Sequence, residues 1–196
     1  MKKGLILLIV LAAIAAIAFA WGVRLNNTFT TKDETVKKAW NNVEADYQRR
    51  ADLIPNLVNV VKGYAKHESE TLQEVVDART KATQVTVDSK DLTPEKLAEY
   101  QKAQGEVSSA LGKLIAITEA YPDLKANEEF LKLQDQLEGT ENRIKKSRTD
   151  FNDAVQDYNT SVRKFPGSIV ASLRHFDVKE GFKADEGASK APTVEF

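Results

Sequence analysis

The stretch FLKLQDQLEGTENRIKKSRTDFNDAVQDYNTSVRKF, residues 130–165, places a large apolar side chain at every seventh position: Phe130, Leu137, Ile144, Phe151, Tyr158 and Phe165. Leu133, Thr140, Ser147, Ala154 and Ser161 hold the partner positions, mostly small beside the large series. Two apolar positions per seven draw one narrow stripe along a helix, the pattern by which helices pack on one another. Large against small suits the seam of a narrow bundle. The fold is therefore all-α, and Phe165-Pro166-Gly167 marks the end of this helix.

Upstream, the same period governs residues 36–64. Trp40, Tyr47, Ile54 and Val61 form one series, and Val36, Val43, Arg50, Leu57 and Tyr64 the other. Leu72, Val75 and Val76 extend the stripe to about Val87. If unbroken from Asp33 to Val87, this helix would run about 80 Å at 1.5 Å per residue, with Pro55 as its bend and Gly63 softening the same region. Proline inside a helix removes one backbone hydrogen bond and costs roughly 3 kcal/mol, so a helix carrying it needs packing support. Asp88-Ser89-Lys90-Asp91 reads as a turn. Thr93 then caps a helix that starts at Pro94 and aligns Leu97, Tyr100, Gln104, Val107, Leu111, Leu114 and Thr118. Gly105 and Gly112 in that helix fit either a close helix approach or a tolerant surface. Tyr121-Pro122-Asp123-Leu124 turns the chain into the last long helix.

The N-terminus carries a second signal. Residues 5–23 contain no charge, and as a helix they would span about 28 Å, close to the roughly 30 Å hydrocarbon core of a bilayer. Trp21 stands where an aromatic anchors the exit, and Lys2 and Lys3 precede the run. The competing reading is a cleaved signal peptide, since Ala18-Phe19-Ala20 has the small-x-small form of a cleavage site. The apolar run exceeds a signal core and continues past that site, which favours a retained anchor. The positive-inside rule then puts the bulk of the chain outside the cytoplasm, with a cytoplasmic bulk, or cleavage and export, as the alternatives. Asn26-Asn27-Thr28 is the one break expected between anchor and bundle.

Several segments together resemble the LemA family of bacterial membrane-anchored helical proteins. Arg49-Arg50-Ala51-Asp52-Leu53-Ile54-Pro55-Asn56-Leu57-Val58, running on to Lys62-Gly63-Tyr64-Ala65-Lys66-His67-Glu68, is similar to its first signature. Tyr121 to Asn127 with Phe130, Leu133 and Leu137 resembles the second. Thr140-Glu141-Asn142-Arg143-Ile144, then Arg148, Asn152, Val155, Tyr158-Asn159 and Phe165-Pro166, resembles the third. Ala39-Trp40 and the closing Pro192-Thr193-Val194-Glu195-Phe196 also match. Leu25-Asn26 departs from a usual Tyr-Asn, and Phe151 from a usual Tyr. The resemblance implies an envelope protein and associates it with envelope stress or quality control, without a defined molecular activity.

Composition narrows the function classes. With 196 residues, 42% hydrophobic and 29% charged at a net charge of -1, the chain can build one core but lacks the concentrated positive surface of a nucleic-acid binder. It has no cysteine, hence no disulfide and no thiolate site. His67-Glu68 begins like an H-E-x-x-H zinc motif, but position 71 is Thr and the only other histidine is His175. Glu68/Glu70 and Glu128-Glu129 read as solvated faces, and no Ser, Lys or Tyr has an activating neighbour. The expectation is no enzyme, no catalytic or metal residue and no cofactor.

Arg50 is the polar residue that breaks an apolar stripe. Buried without a partner it would be costly, and Glu141, beside Thr140 in the last helix, is the favoured partner. The alternative is an exposed basic patch of Arg49 and Arg50. Tyr47, Tyr64 and Tyr158 read as core rather than as a binding surface.

The sequence thus predicts a flank at 1–4, a transmembrane anchor at 5–23, an elongated antiparallel three- or four-helix bundle at 28–166 with long, partly kinked helices, and a largely disordered tail at 167–196 holding a short helical turn near Ile169–Leu173. Arg49, Arg50, Pro55 and Glu141 are the structural or interaction candidates. The expected partners are the membrane and an unidentified protein, with homo-oligomerisation left open. The leading function is a single-pass interaction or scaffolding module of the bacterial envelope; the rival is a sensory bundle in which Pro55 relays a ligand or partner signal.

Overall fold

A computed structural model describes residues 2–183, except the side chain of Lys2. The chain is all-α. Four long helices, α1 (Lys2–Tyr64), α2 (Ser69–Gln84), α3 (Pro94–Thr118) and α5 (Glu128–Arg163), are joined by the one-turn α4 (Pro122–Lys125) and followed by α6 (Gly167–Arg174). α1 rises from the apolar segment, α2 descends, α3 rises, and α5 descends beside α1 along the length of the bundle.

Two features of α1 depart from expectation. Asn26-Asn27-Thr28 does not break the helix, which is continuous from the apolar segment into the bundle. Thr28, Thr30, Thr31 and Thr35 turn their hydroxyls onto the carbonyls of Arg24, Asn26, Asn27 and Thr31 at 2.9–3.0 Å. Their polar groups are thereby satisfied within the helix instead of competing with it. Nor does α1 reach Val87. It passes through Pro55 without interruption and stops at Tyr64, directly after Gly63, which has no neighbour to pack on. Glu68 holds the corner by accepting the Tyr121 hydroxyl at 2.9 Å, while its carbonyl accepts the Leu72 amide at 3.1 Å. The expectation left three helices or four open, according to whether this stretch is one kinked rod or two helices; it is two, so the bundle has four.

The other starts follow local chemistry. Thr93 accepts the Lys96 amide ahead of Pro94, and Asn127 accepts the Phe130 amide at 2.8 Å while donating to the Tyr64 hydroxyl at 3.0 Å. Tyr47 and Tyr158 are buried, but Tyr64 is exposed at this far end of the bundle. Gly105 and Gly112 face open space, so they mark no close helix approach.

On α5 the seam drifts. Phe130, Leu133, Leu137, Thr140, Ile144 and Ser147 are buried in heptad order, but then Val155 and Val162 replace Ala154 and Ser161 as the buried partners. A straight helix with 3.6 residues per turn rotates by about 20° per heptad relative to a 3.5 repeat, which accounts for the one-residue shift. Phe165, the last member of the expected stripe, lies beyond the end of α5 at Arg163 and stands 81% exposed.

Apolar side chains form two clusters. The far one joins Ile54, Leu57, Val61, Leu72, Val75, Leu114, Phe130 and Leu137; the near one, toward the apolar segment, joins Phe29, Trp40, Tyr47, Tyr100, Phe151, Tyr158 and Phe182. Phe182 belongs to the tail expected to lack order. Residues 175–183 instead lie along α5, and α6 includes the turn expected near Ile169–Leu173. The remainder of that tail, 184–196, lies outside the described residues.

Candidate functional site

A polar layer separates the two clusters, and Arg50 is its centre. The residue is 1% exposed. Its Nη1 donates to Ser108 Oγ at 2.7 Å and to Glu141 Oε1 at 3.0 Å; its Nη2 donates to the Gln104 carbonyl at 2.9 Å and to Gln104 Oε1 at 2.7 Å. The guanidinium also lies over the Tyr47 ring, 5.0 Å from its centroid. α1, α3 and α5 are thus fastened by one planar group whose fork presents several donors in fixed directions, a task an ammonium would not perform. Glu141 reaches outward, its side chain 42% exposed, so the charge of the pair is compensated at the bundle surface rather than in its core. Arg143 donates to Thr140 Oγ1 at 2.8 Å and approaches Asp46 at 3.8 Å, continuing the layer to the α1 face.

Of the four residues singled out by sequence, Arg50 and Glu141 meet here. Arg49 points to solvent and joins neither. Pro55 is exposed one turn beyond the layer, and its effect is felt at Ala51. Proline has no N–H to give to the carbonyl four residues earlier. Arg79 of α2 supplies the missing donor, its Nε reaching the Ala51 carbonyl at 2.7 Å. Nothing in the α2 sequence alone marked Arg79 for this role.

Between Arg50 and Arg79 lies a cavity of about 100 Å³, lined by Glu44, Ala51, Ile54, Tyr100 and Val107 among others. That is room for a few waters, well below the roughly 300–1,000 Å³ of a small-molecule site. Among the described residues, no group of three or more histidines or carboxylates converges to hold a metal. His67 is exposed in the turn after α1 rather than on a helix.

A second constellation escaped the sequence reading. Asn152 and Asn159, seven apart on α5, each clasp the backbone of the irregular segment 176–183. Asn159 accepts the Lys179 amide at 2.8 Å and donates to the Lys179 carbonyl at 2.7 Å. Asn152 does the same for Phe182, at 2.8 and 3.2 Å. Tyr158 donates its hydroxyl to the Asp177 carbonyl at 2.9 Å. Burial first, then the nearby Asp33 and Asp177, push that hydroxyl up to about 12, which keeps it protonated as a donor. Phe182 enters a box made by Trp40, Phe151 and Arg148, and Lys179 pairs with Asp33 at 2.9 Å. The signal available in the sequence was the asparagine pair at seam spacing beside an aromatic stripe. Its occupant, a short polar segment with no periodicity of its own, was not legible.

Asn152→Ala should release this strap. Two hydrogen bonds are lost at once, at about 1 kcal/mol net each. Gly181→Ala should act on the same clasp, because a Cβ there would stand 2.6 Å from Asn152 Oδ1. Hydrogen exchange would show the Lys179 and Phe182 amides losing protection while α5 keeps its own. Unchanged protection in both variants would mean the strap is held by its apolar contacts alone.

Comparison with known proteins agrees with the architecture. The model of the LemA family matches residues 39–196. Magnetosome protein MamQ 2 of Paramagnetospirillum magneticum is 26% identical over 207 residues, covering 95% of this chain and 75% of that protein. Magnetosome protein MamQ of Magnetospirillum gryphiswaldense is 25% identical over 206 residues, covering 96% and 75%. Protein LemA of Metamycoplasma hominis is 24% identical over 170 residues, covering 87% and 74%. With most of its length inside the family match, and with the helical bundle that its sequence signatures imply, this chain belongs to the LemA family.

Proposed function

We propose that this protein is a single-pass, membrane-anchored scaffold: a rigid helical post that presents an interaction surface in the bacterial envelope, with its bulk outside the cytoplasm. The observation that carries the reading is the continuity of α1. One helix includes an apolar stretch long enough to cross a membrane and continues without a hinge to Tyr64. From Arg24 onward it extends about 60 Å, at 1.5 Å per residue. α5 braces it along the whole bundle, and the Arg50 layer pins their register. A rod so fixed transmits position and suits holding a partner at a set height.

The sensory alternative requires a ligand cavity or a pliable Pro55. The enclosed space between Arg50 and Arg79 is water-sized, the cleft of about 600 Å³ on the Glu141 side of Arg50 is open to solvent, and Arg79 splints the proline. The splint is the observation that favours the scaffold.

A photo-crosslinking amino acid placed at Arg49, exposed beside the polar layer, tests this in intact membranes. The scaffold reading expects a discrete protein adduct, and protease added to spheroplasts should digest the bundle while cytoplasmic markers survive. Full protection of the bundle until the membrane is broken would reverse the orientation. Absence of any protein adduct, at Arg49 and at other exposed bundle positions alike, would remove the scaffold.

A further inference from the structure

We infer that α6 is a second membrane contact: its outward face lies in the lipid headgroup layer beside the point where α1 leaves the bilayer. This rests on the reading of residues 5–23 as a spanning segment. Ile169 and Leu173, four apart on α6, form an apolar stripe, and Phe165 stands out in the link just before the helix; the three are 54%, 75% and 81% exposed. The opposite side of the helix is committed to the bundle. Ala171 is buried in the near cluster, and a Cβ on Gly167 would lie 2.9 Å from the Ser161 carbonyl and 3.1 Å from the Phe29 ring. The stripe is therefore not a frayed core face; it is the side left over once α6 has docked.

What covers it follows from where α6 is held. Both of its ends meet the same turn of α1: Gly167 packs on Phe29, and Arg174 Nε donates to Asn26 Oδ1 at 3.1 Å. Asn26 and Phe29 stand three and six residues past Val23, about 5–9 Å along an unbroken helix. The interfacial layer on each side of a roughly 30 Å hydrocarbon core is of that thickness. α5 descends antiparallel to α1 and delivers Phe165 to the end of the bundle nearest the apolar segment.

The charges agree. Residues 161–176 contain Arg163, Lys164 and Arg174 and no acidic residue, in a chain whose net charge is -1. Aromatic and aliphatic side chains on one face with basic residues at the flanks are the composition of a helix lying in the interface plane, its apolar face sunk about 5–10 Å. Anionic headgroups would pair with the three basic side chains. An anchor and an interfacial helix give two points of attachment, which fixes the rotation of the post as well as its height.

The absence of cysteine in the chain makes a single-site probe clean. Full-length protein is placed at one copy per nanodisc containing phosphatidylglycerol, with an NBD label at Phe165→Cys, Ile169→Cys or Leu173→Cys. Val10→Cys in the apolar segment and Asp135→Cys at the far end of α5 are the references. The three α6 labels should emit at shorter wavelength than Asp135→Cys and lose about half their emission to lipids carrying a quencher, as expected for interfacial depth. If Val10→Cys is quenched while the α6 labels behave like Asp135→Cys, the inference fails and the anchor stands. If Val10→Cys is also unquenched, the anchor reading fails first. Shielding of α6 only when two copies share a disc would assign the face to self-contact and overturn the membrane assignment.

Discussion

Arg50→Ala should lower the unfolding free energy by about 3–5 kcal/mol, while Arg49→Ala changes it by about 0.5 kcal/mol or less. Urea unfolding of the full chain in detergent, followed by far-ultraviolet circular dichroism, measures both. The asymmetry comes from what each truncation leaves behind. Arg49 ends in solvent, so its removal strands nothing. Removing Arg50 opens a void between two apolar clusters and takes the guanidinium donor from the Gln104 carbonyl, Gln104 Oε1 and Ser108 Oγ in one step; the carbonyl keeps the Ser108 hydroxyl at 3.3 Å, while Gln104 Oε1 loses its guanidinium partner. Gln104 is buried, so its acceptors cannot turn to water without opening α3 from α1. Glu141 suffers less, because its half-exposed carboxylate can rehydrate. For the same reason Glu141→Gln should cost less than Arg50→Ala: Arg50 would keep Ser108, Gln104 and the Tyr47 ring. Arg50→Met fills the void and isolates the polar part of the loss. Equal, small losses for Arg49→Ala and Arg50→Ala would remove Arg50 from the interior.

The reach of the sequence can be traced residue by residue. Heptad spacing identified the apolar faces of α1, α3 and α5 because those faces pack on neighbours of the same period. It placed Arg50 inside the stripe, and the Thr140-Glu141 pair supplied a partner within reach. Spacing failed where the geometry departs from 3.5 residues per turn, at Ala154 and Ser161, where α5 ends short of Phe165, and where a helix was closed by a non-local contact, as Tyr121 closes the corner at Glu68. It could not see the strap. The order of residues 175–183 is imposed by Asn152, Asn159 and the aromatic box, and belongs to α5 and α1 rather than to the segment itself. Arg79 shows the same limit: a lysine- or arginine-bearing helix surface looks solvated until a proline on another helix leaves a carbonyl open beneath it.

That last contact yields the second large effect. Arg79→Met should destabilise the chain by about 1.5–3 kcal/mol, the range for a hydrogen bond with a charged donor. Methionine retains much of the apolar stem, so the loss isolates the guanidinium bond to the Ala51 carbonyl. Pro55→Ala changes the reference. Alanine restores an N–H at the position from which an α-helix bonds residue 51, and it removes the ring that crowds that carbonyl. Ala51 then has an intrahelical donor, and the Arg79 bond becomes redundant. In the Pro55→Ala background, Arg79→Met should therefore cost about 1 kcal/mol less than in the natural chain, a coupling readily resolved by a double-mutant cycle. The cycle also separates the two functional readings. Strong coupling means that Pro55 is splinted by α2 and that the post is rigid there, as a scaffold requires. Additive losses would mean the carbonyl is satisfied without Arg79, leaving α1 free to bend at Pro55 as a relay would.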